Sequence, residues 1–339
     1  MISTKALLVI AAATMVPVTT AVHAKAESSG SKPSATQVIT LGTGGGPSYR
    51  DKRAMSSNAV VVGKDVYLVD TGDGLMHRYA SAELDVGQVK AVFITHHHFD
   101  HNADLGALLT FRWLANDLIG AQSPPLPVIG PPMTVGFVQH LAAAFRPTEL
   151  APVTIGGTEP GPIALTANAM DLPGDLFEPK VIYRDDKVTV TAVLNNHYHY
   201  QPGSASDRNA RSYAFRFDTA DRSIVFTGDT GPSPRVEALA QGADILVAEV
   251  IDLPSIERQW RSRDGSDGAQ VDALIAHLRQ DHLTPEDVGK MASSAKVGMV
   301  VLNHLVPGYD DETDPEIYAR GVRRYFTGRV VVANDLDRF

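Results

Sequence analysis

Short apolar runs broken by glycine, proline and polar turns set the pattern of this chain. Val38-Ile39-Thr40-Leu41, Ala59 to Val62, Val66 to Val69 and Val89 to Ile94 have the length and composition of buried strands. Gly63-Lys64-Asp65 between the second and third is a hairpin signal. The period then changes. Leu105, Leu108, Leu109, Trp113 and Leu118 recur at helical spacing and predict a helix over 103–119, with Trp113 on its core face. Val128-Ile129-Gly130-Pro131-Pro132 reads as a strand and turn before a second helix over 133–145, in which His140 is structural. Residues 146–187 hold prolines, glycines and acids without periodicity, and a substrate-shaping insertion is expected there. Beyond them, 187–193 alternates as a strand, 212–218 and 222–227 form a hairpin, and 243–250 and 297–302 are buried strands.

Chemistry collects where these strands stop. Directly after Ile94 comes Thr95-His96-His97-His98-Phe99-Asp100-His101. Imidazole nitrogen and carboxylate oxygen are donors suited to zinc. In a loop after a strand, His96 and His98 can point to one side while Asp100 and His101 reach a second point nearby. One loop can then feed two metal ions. Further along, 187–193 leads into Asn195-Asn196-His197-Tyr198-His199, the hairpin delivers Gly228-Asp229-Thr230, and 297–302 leads into Asn303-His304. His197 or His199 offers a third imidazole, Asp229 suits a carboxylate shared by two metals, and His304 is the natural last ligand.

The spacing of His96, His98, Asp100 and His101 resembles the signature of the metallo-beta-lactamase fold superfamily. Leu41-Gly42-Thr43-Gly44-Gly45, the Tyr213–Asp218 and Val225–Thr230 pair, and His282-Leu283-Thr284 resemble its ribonuclease Z-like branch, closest to secreted arylsulfatase-like metallohydrolases. The resemblance covers about residues 37–339. It implies an α/β, four-layer αββα sandwich with two Zn2+ ions, other divalent metals being open. His96, His98 and His197 would hold the first ion and Asp100, His101 and His304 the second, with Asp229 between; His199 stays as the alternative to His197. Asp70, at a strand end, would brace the metal loop. Asp100 and His282 are the candidate catalytic residues, His282 as proton donor, with helix capping by its loop compatible with that role. Arg208 and Arg211, in a polar loop, are candidate substrate-anion binders. The glycine-rich turn 42–47 lacks the Lys-Ser/Thr of a phosphate loop, so its glycines are read as letting the backbone pass close to the metal site.

Composition narrows the function. With 44% hydrophobic and 20% charged residues among 339, the chain is globular material. It has no cysteine, which excludes disulfides and thiolate ligands. A net charge of −9 weighs against nucleic acid as a partner, and the substrate expected from the resemblance is a small-molecule ester. Residues 1–24, with Lys5 before the apolar 6–18 run and Val22-His23-Ala24 at its end, read as a cleaved signal peptide. Residues 25–36 then form a flexible linker and 37–339 the hydrolase domain, periplasmic or secreted, without a stable membrane anchor and with an oligomer left open. The activity that the resemblance implies is ester hydrolysis by a metal-bridging hydroxide, most of all on a sulfate or phosphate ester. A lactone or beta-lactam hydrolase, a cyclic-nucleotide phosphodiesterase, and a non-catalytic or di-iron redox protein are the alternatives.

Overall fold

The computed structural model describes residues 36–118, 123–151 and 161–339. The leader and nearly all of the linker lie outside the described residues, as do 152–160 of the expected insertion. Among the described residues, thirteen strands form two sheets. The first sheet runs in spatial order through β1 (Thr36–Gly42), β2 (Ser57–Val62), β3 (Asp65–Val69), β4 (Val89–Phe93), β5 (Leu126–Gly130) and β6 (Ala167–Asp171). The second has β7 (Lys180–Arg184) as one of its edge strands. It continues through β8 (Thr189–Leu194), β9 (Tyr213–Asp218), β10 (Ser223–Phe226), β11 (Ile245–Ile251), β12 (Met299–Val306) and β13 (Arg329–Val332). β1 to β3 pair antiparallel and β3 to β6 parallel; β7 to β10 pair antiparallel and β10 to β13 parallel.

The two sheets pack face to face. Val60, Tyr67 and Phe93 from the first meet Phe215, Phe217 and Val247 from the second, and the Phe93 and Phe217 rings cross edge to face at 5.2 Å. The outer face of the first sheet is covered by helices Leu75–Ser81, Leu105–Leu118 and Thr134–Ala144. Helices Pro234–Leu239, Pro285–Ser294 and Glu316–Val322 cover the second. The result is the αββα sandwich. Central strands covered on both faces are mostly apolar, and β11 reads Ile-Leu-Val-Ala-Glu-Val-Ile, every residue buried and Glu249 its one polar member. Trp113 is core, as its spacing predicts, and its indole N–H donates to the Gly161 carbonyl.

Two segments differ from the sequence reading. The expected insertion at 146–187 instead supplies β6 and β7, the last strand of one sheet and the edge strand of the other. Edge strands are half exposed and need no strict alternation, so their burial follows no period and the sequence carried no signal. The strand read as 297–302 runs on to Val306, so His304 lies inside it. There the pairing with β11 skips from Glu249–Asn303 to Val250–Leu305, leaving His304 as a bulged residue with φ 43°.

The chain's last residues close on the first strand. Val38 and Phe339 exchange backbone hydrogen bonds, and Asp335 accepts from the Thr43 and Ala54 amides and from Arg78 Nε. This fixes the path of the glycine-rich turn after β1.

Candidate metal centre

Six of the donors leave strand ends and the seventh is the bulged residue. After β4, His96 and His98 precede a single helical turn, Phe99–Asn102, that carries Asp100 and His101. His197 follows β8 and Asp229 follows β10. His304 is turned toward them by the bulge, since an extra residue in one strand bends it and re-aims a side chain.

Two abutting groups result. In the first, His96 Nε2 and His197 Nε2 stand 3.0 Å and 3.3 Å from His98 Nδ1, with an Asp229 oxygen close by. In the second, Asp100 Oδ2 lies 3.4 Å from His101 Nε2 and 3.2 Å from His304 Nε2. Asp229 spans them, with Oδ1 3.4 Å from His101 Nε2 and Oδ2 3.2 Å from His304 Nε2. Donors on one tetrahedral zinc at ~2.1 Å stand about 3.4 Å apart, so this spacing fits a shared cation. Several donor atoms have nothing else to do. His101 Nε2 and Asp229 Oδ1 are buried without a hydrogen-bond partner, a cost that a bound cation removes.

The electrostatics agree with that fit. Burial drives the His96, His98 and His197 imidazoles toward the neutral form, His197 down to about 3, and neutral imidazole is the ligating state. Burial acts the same way on His101 and His304, but the Asp229 and Asp100 carboxylates outweigh it and raise both. Their field calls for positive charge at the second group.

The surrounding hydrogen bonds fix which ring atom faces inward. His101 Nδ1 donates to Asp70 Oδ2 at 2.8 Å, and Asp70 also accepts from the Thr95 amide and hydroxyl. His197 Nδ1 donates to the Asp281 carbonyl at 3.0 Å. His199 turns away, its Nδ1 donating to the Asp281 carboxylate at 2.6 Å, so the structure brings His197 and not His199 into the cluster. His97 also faces away, onto the Thr134 hydroxyl. The glycine turn passes as close as its composition implies. Gly46 N–H donates to Asp100 Oδ2 at 2.7 Å, and a Cβ on Gly45 would lie 2.7 Å from His304 Nδ1.

His282 sits just past helix Gly268–Asp281, beside His197, with ring centroids 5.1 Å apart. Its Nδ1 donates to Glu249 Oε2 at 2.9 Å. Burial disfavours its charged form, but the Glu249 carboxylate prevails and pushes His282 up to about 9. Thr284 caps the following helix through a capping box with Asp287, so capping and a place at the cluster coexist in this loop.

The cluster opens into a cleft of about 610 Å3. Arg208 and Arg211 do not line it. Arg208 is held by the Gly203 carbonyl, and Arg211 Nε donates to the Gly174 carbonyl at 2.7 Å, so the structure does not bring this pair to the metal groups. The arginines that line the cleft are Arg50 and Arg263. Glu249 was also missed, although a single acid in a wholly apolar strand is a signal in itself, since a buried carboxylate demands a partner.

The family model described as the beta-lactamase superfamily domain matches residues 66–305. The chain belongs to the metallo-beta-lactamase superfamily. Within this family of metal-dependent hydrolases its relatives are ribonuclease Z-like. A ribonuclease Z of Mycobacterium sp. strain KMS is 32% identical over 306 residues, covering 89% of this chain and 95% of the relative. Another, from Mycobacterium bovis, is 30% identical over 310 residues, covering 89% and 97%. Among solved structures, the metallo-beta-lactamase fold protein YhfI of Bacillus subtilis superposes with a TM-score of 0.61 at 18% identity, covering 90% of this chain and 98% of that one. The short form of human tRNase Z gives 0.58 at 20% identity, covering 89% and 98%. The ribonuclease Z relatives overturn the expectation that nucleic acid is not a partner. Net charge averages over the whole surface and says little about the local field of a cleft lined by arginine and histidine.

Proposed function

We propose that the protein is a dinuclear zinc hydrolase that cleaves a phosphate ester, a phosphodiester first of all. The observation that carries this reading is the pair of donor groups joined by Asp229 at the base of an open cleft. His96, His98 and His197 would hold one ion and Asp100, His101 and His304 the other. When bound, the ions supply a nucleophilic hydroxide at neutral pH and positive charge for the oxygens of the transition state.

The chain's own groups do the rest. Asp70 and the Asp281 carbonyl keep His101 and His197 in the tautomer that directs Nε2 inward. Asp100 is held in place by the Gly46 amide. With Nδ1 engaged by Glu249, His282 is the candidate to pass a proton from Nε2 to the leaving oxygen, and Glu249 stabilises the imidazolium before transfer. The ribonuclease Z relatives favour phosphorus over sulfur or carbon as the centre attacked. On the reading of 1–24 as a leader, this enzyme works outside the cytoplasm.

The test is metal analysis and a substrate panel on the protein beginning at Lys25, with His98→Ala as control. Bis(p-nitrophenyl) phosphate, an aryl sulfate, a lactone and a chromogenic beta-lactam are compared. About two zinc ions per chain and diester cleavage lost in His98→Ala are expected. Turnover of the sulfate alone moves the reading to the arylsulfatase-like branch, and protein that binds no metal removes it altogether.

A further inference from the structure

Beyond the metal ligands, the cleft is lined by flat side chains from separate elements. Tyr198 and Tyr200 follow β8, and their rings stack at 5.2 Å with an interplanar angle of 24°. Tyr198 also packs on the ligand candidates, its ring 5.4 Å from that of His98 and 4.6 Å from that of His197. The tyrosine pair therefore starts at the metal groups and leads away from them.

A second flat surface comes from helix Leu253–Arg261. Trp260 lines the same cleft and is 38% exposed, and the Arg263 guanidinium lies 3.9 Å from its ring centroid. An indole with one face held by a cation is fixed in orientation, which lowers the entropy lost when a ligand covers it. The acids near this helix end, Glu257 and Asp272, are taken up by the neighbouring Arg261. Leu274 and Leu278, one turn apart on helix Gly268–Asp281, add apolar lining. The ester reaction uses none of these side chains. Large aromatic rings left in water beside a reaction centre cost solvation that a ligand ring recovers. The cleft volume of about 610 Å3 is that of a site for one small molecule.

We infer that Tyr200, Trp260 and their neighbours form a slot for a flat aromatic ring borne by the ester, with Arg263 placed for a second anionic group. The position of the ester in this inference rests on the hydrolase reading above. The ring chemistry is shared by a nucleobase and a simple aryl group.

Calorimetric titration of the zinc-loaded protein tests it without any turnover, using phenylphosphonate, cyclohexylphosphonate, methylphosphonate and adenosine 5′-monophosphate. A stacked ring is worth about tenfold or more in affinity. Phenylphosphonate is expected to bind at least tenfold more tightly than cyclohexylphosphonate, which matches its bulk but not its flatness. Trp260→Leu and Tyr200→Leu should each erode that preference, Trp260→Phe should restore most of it, and methylphosphonate should bind all variants alike. Adenosine 5′-monophosphate binding above phenylphosphonate assigns the slot to a base, and binding below it assigns an aryl group. Cyclohexyl and phenyl ligands binding equally would overturn the inference. Diester cleavage without ring preference removes the slot alone; ring preference without cleavage removes the hydrolase reading and leaves the slot.

Discussion

Gly46→Ala is the sharpest probe of how the glycine turn serves the metal centre. A Cβ there would lie 2.5 Å from Asp100 Cγ and 2.6 Å from Oδ2. Carbon atoms in contact rest at about 3.5–4.0 Å, so one side must retreat by roughly 1 Å. The turn has little freedom to move, because Gly44 and Gly45 are hydrogen-bonded to Ala54 and Leu305. Asp100 moves instead, and it loses the 2.7 Å bond from the Gly46 amide as it does so. Metal–ligand distances tolerate only about 0.2 Å, so the second ion loses one of its proposed ligands. A misplacement of about 1 Å costs on the order of 100-fold in rate. We expect one tightly held zinc in place of two, a drop of about 100-fold in diester cleavage, and near-wild-type folding, since Gly46 is partly exposed. Metal content by mass spectrometry, chelator competition and the cleavage rate read these three effects. Gly136→Ala is the control: it lies in helix Thr134–Ala144 with nothing within 4 Å of the added carbon. It should stabilise the fold by up to about 1 kcal/mol and leave the metals alone. A Gly46→Ala protein with two zinc ions at parental affinity and rate would refute the reasoning.

Three further outcomes follow from the same geometry. Asp70→Asn keeps the shape but no longer offers His101 a carboxylate, and zinc affinity should fall about 10–100-fold; chelator competition showing a change below twofold would count against the role given to Asp70. Stripping the metals should lower the melting temperature by roughly 10 °C when the ions had been present at about a thousand times their dissociation constant, and a scan unchanged by chelator would argue against ions held by both sheets. Away from the site, Asp185 accepts from Tyr67 and Tyr183 hydroxyls and from the Lys187 and Val188 amides, so Asp185→Ala should cost about 1–3 kcal/mol at neutral pH. Burial raises the Asp185 carboxyl, but those four donors outweigh it and hold it below its ordinary value. Its contribution is thus full above about pH 4 and fades as pH falls through the lower folded value. Denaturant midpoints of the two proteins should draw together as the pH falls below that range, and a constant gap would contradict this.

The donors were legible because two signals coincide at each. A run of apolar residues announces a strand, and a ligand-type residue follows directly, as at Ile94-Thr95-His96 and Phe226-Thr227-Gly228-Asp229. The residues alone leave His197 and His199 open in one loop, the family resemblance prefers His197, and the Asp281 carboxylate shows that His199 is the one diverted. The bulge at His304 was hidden because a slip in pairing is a property of two strands and leaves no trace in one. β6 and β7 escaped notice because edge strands carry little alternation. Arg208 and Arg211 looked free in a polar loop, yet main-chain carbonyls from that loop and from Gly174 engage both.

The first sheet's side supplies His96, His98, Asp100 and His101, and the second supplies His197, Asp229 and His304. An ion in either group is thus a rivet through two separate plates, driven between residues as far apart in the chain as Asp100 and His304. No fragment holding one plate alone can keep it. On the dinuclear reading, capture of the second ion reports that β12 has docked, since His304 lies on that strand, whereas His96, His98, His197 and Asp229 of the first group all precede it, and a chain cut before β12 would be expected to keep one zinc and lose the other.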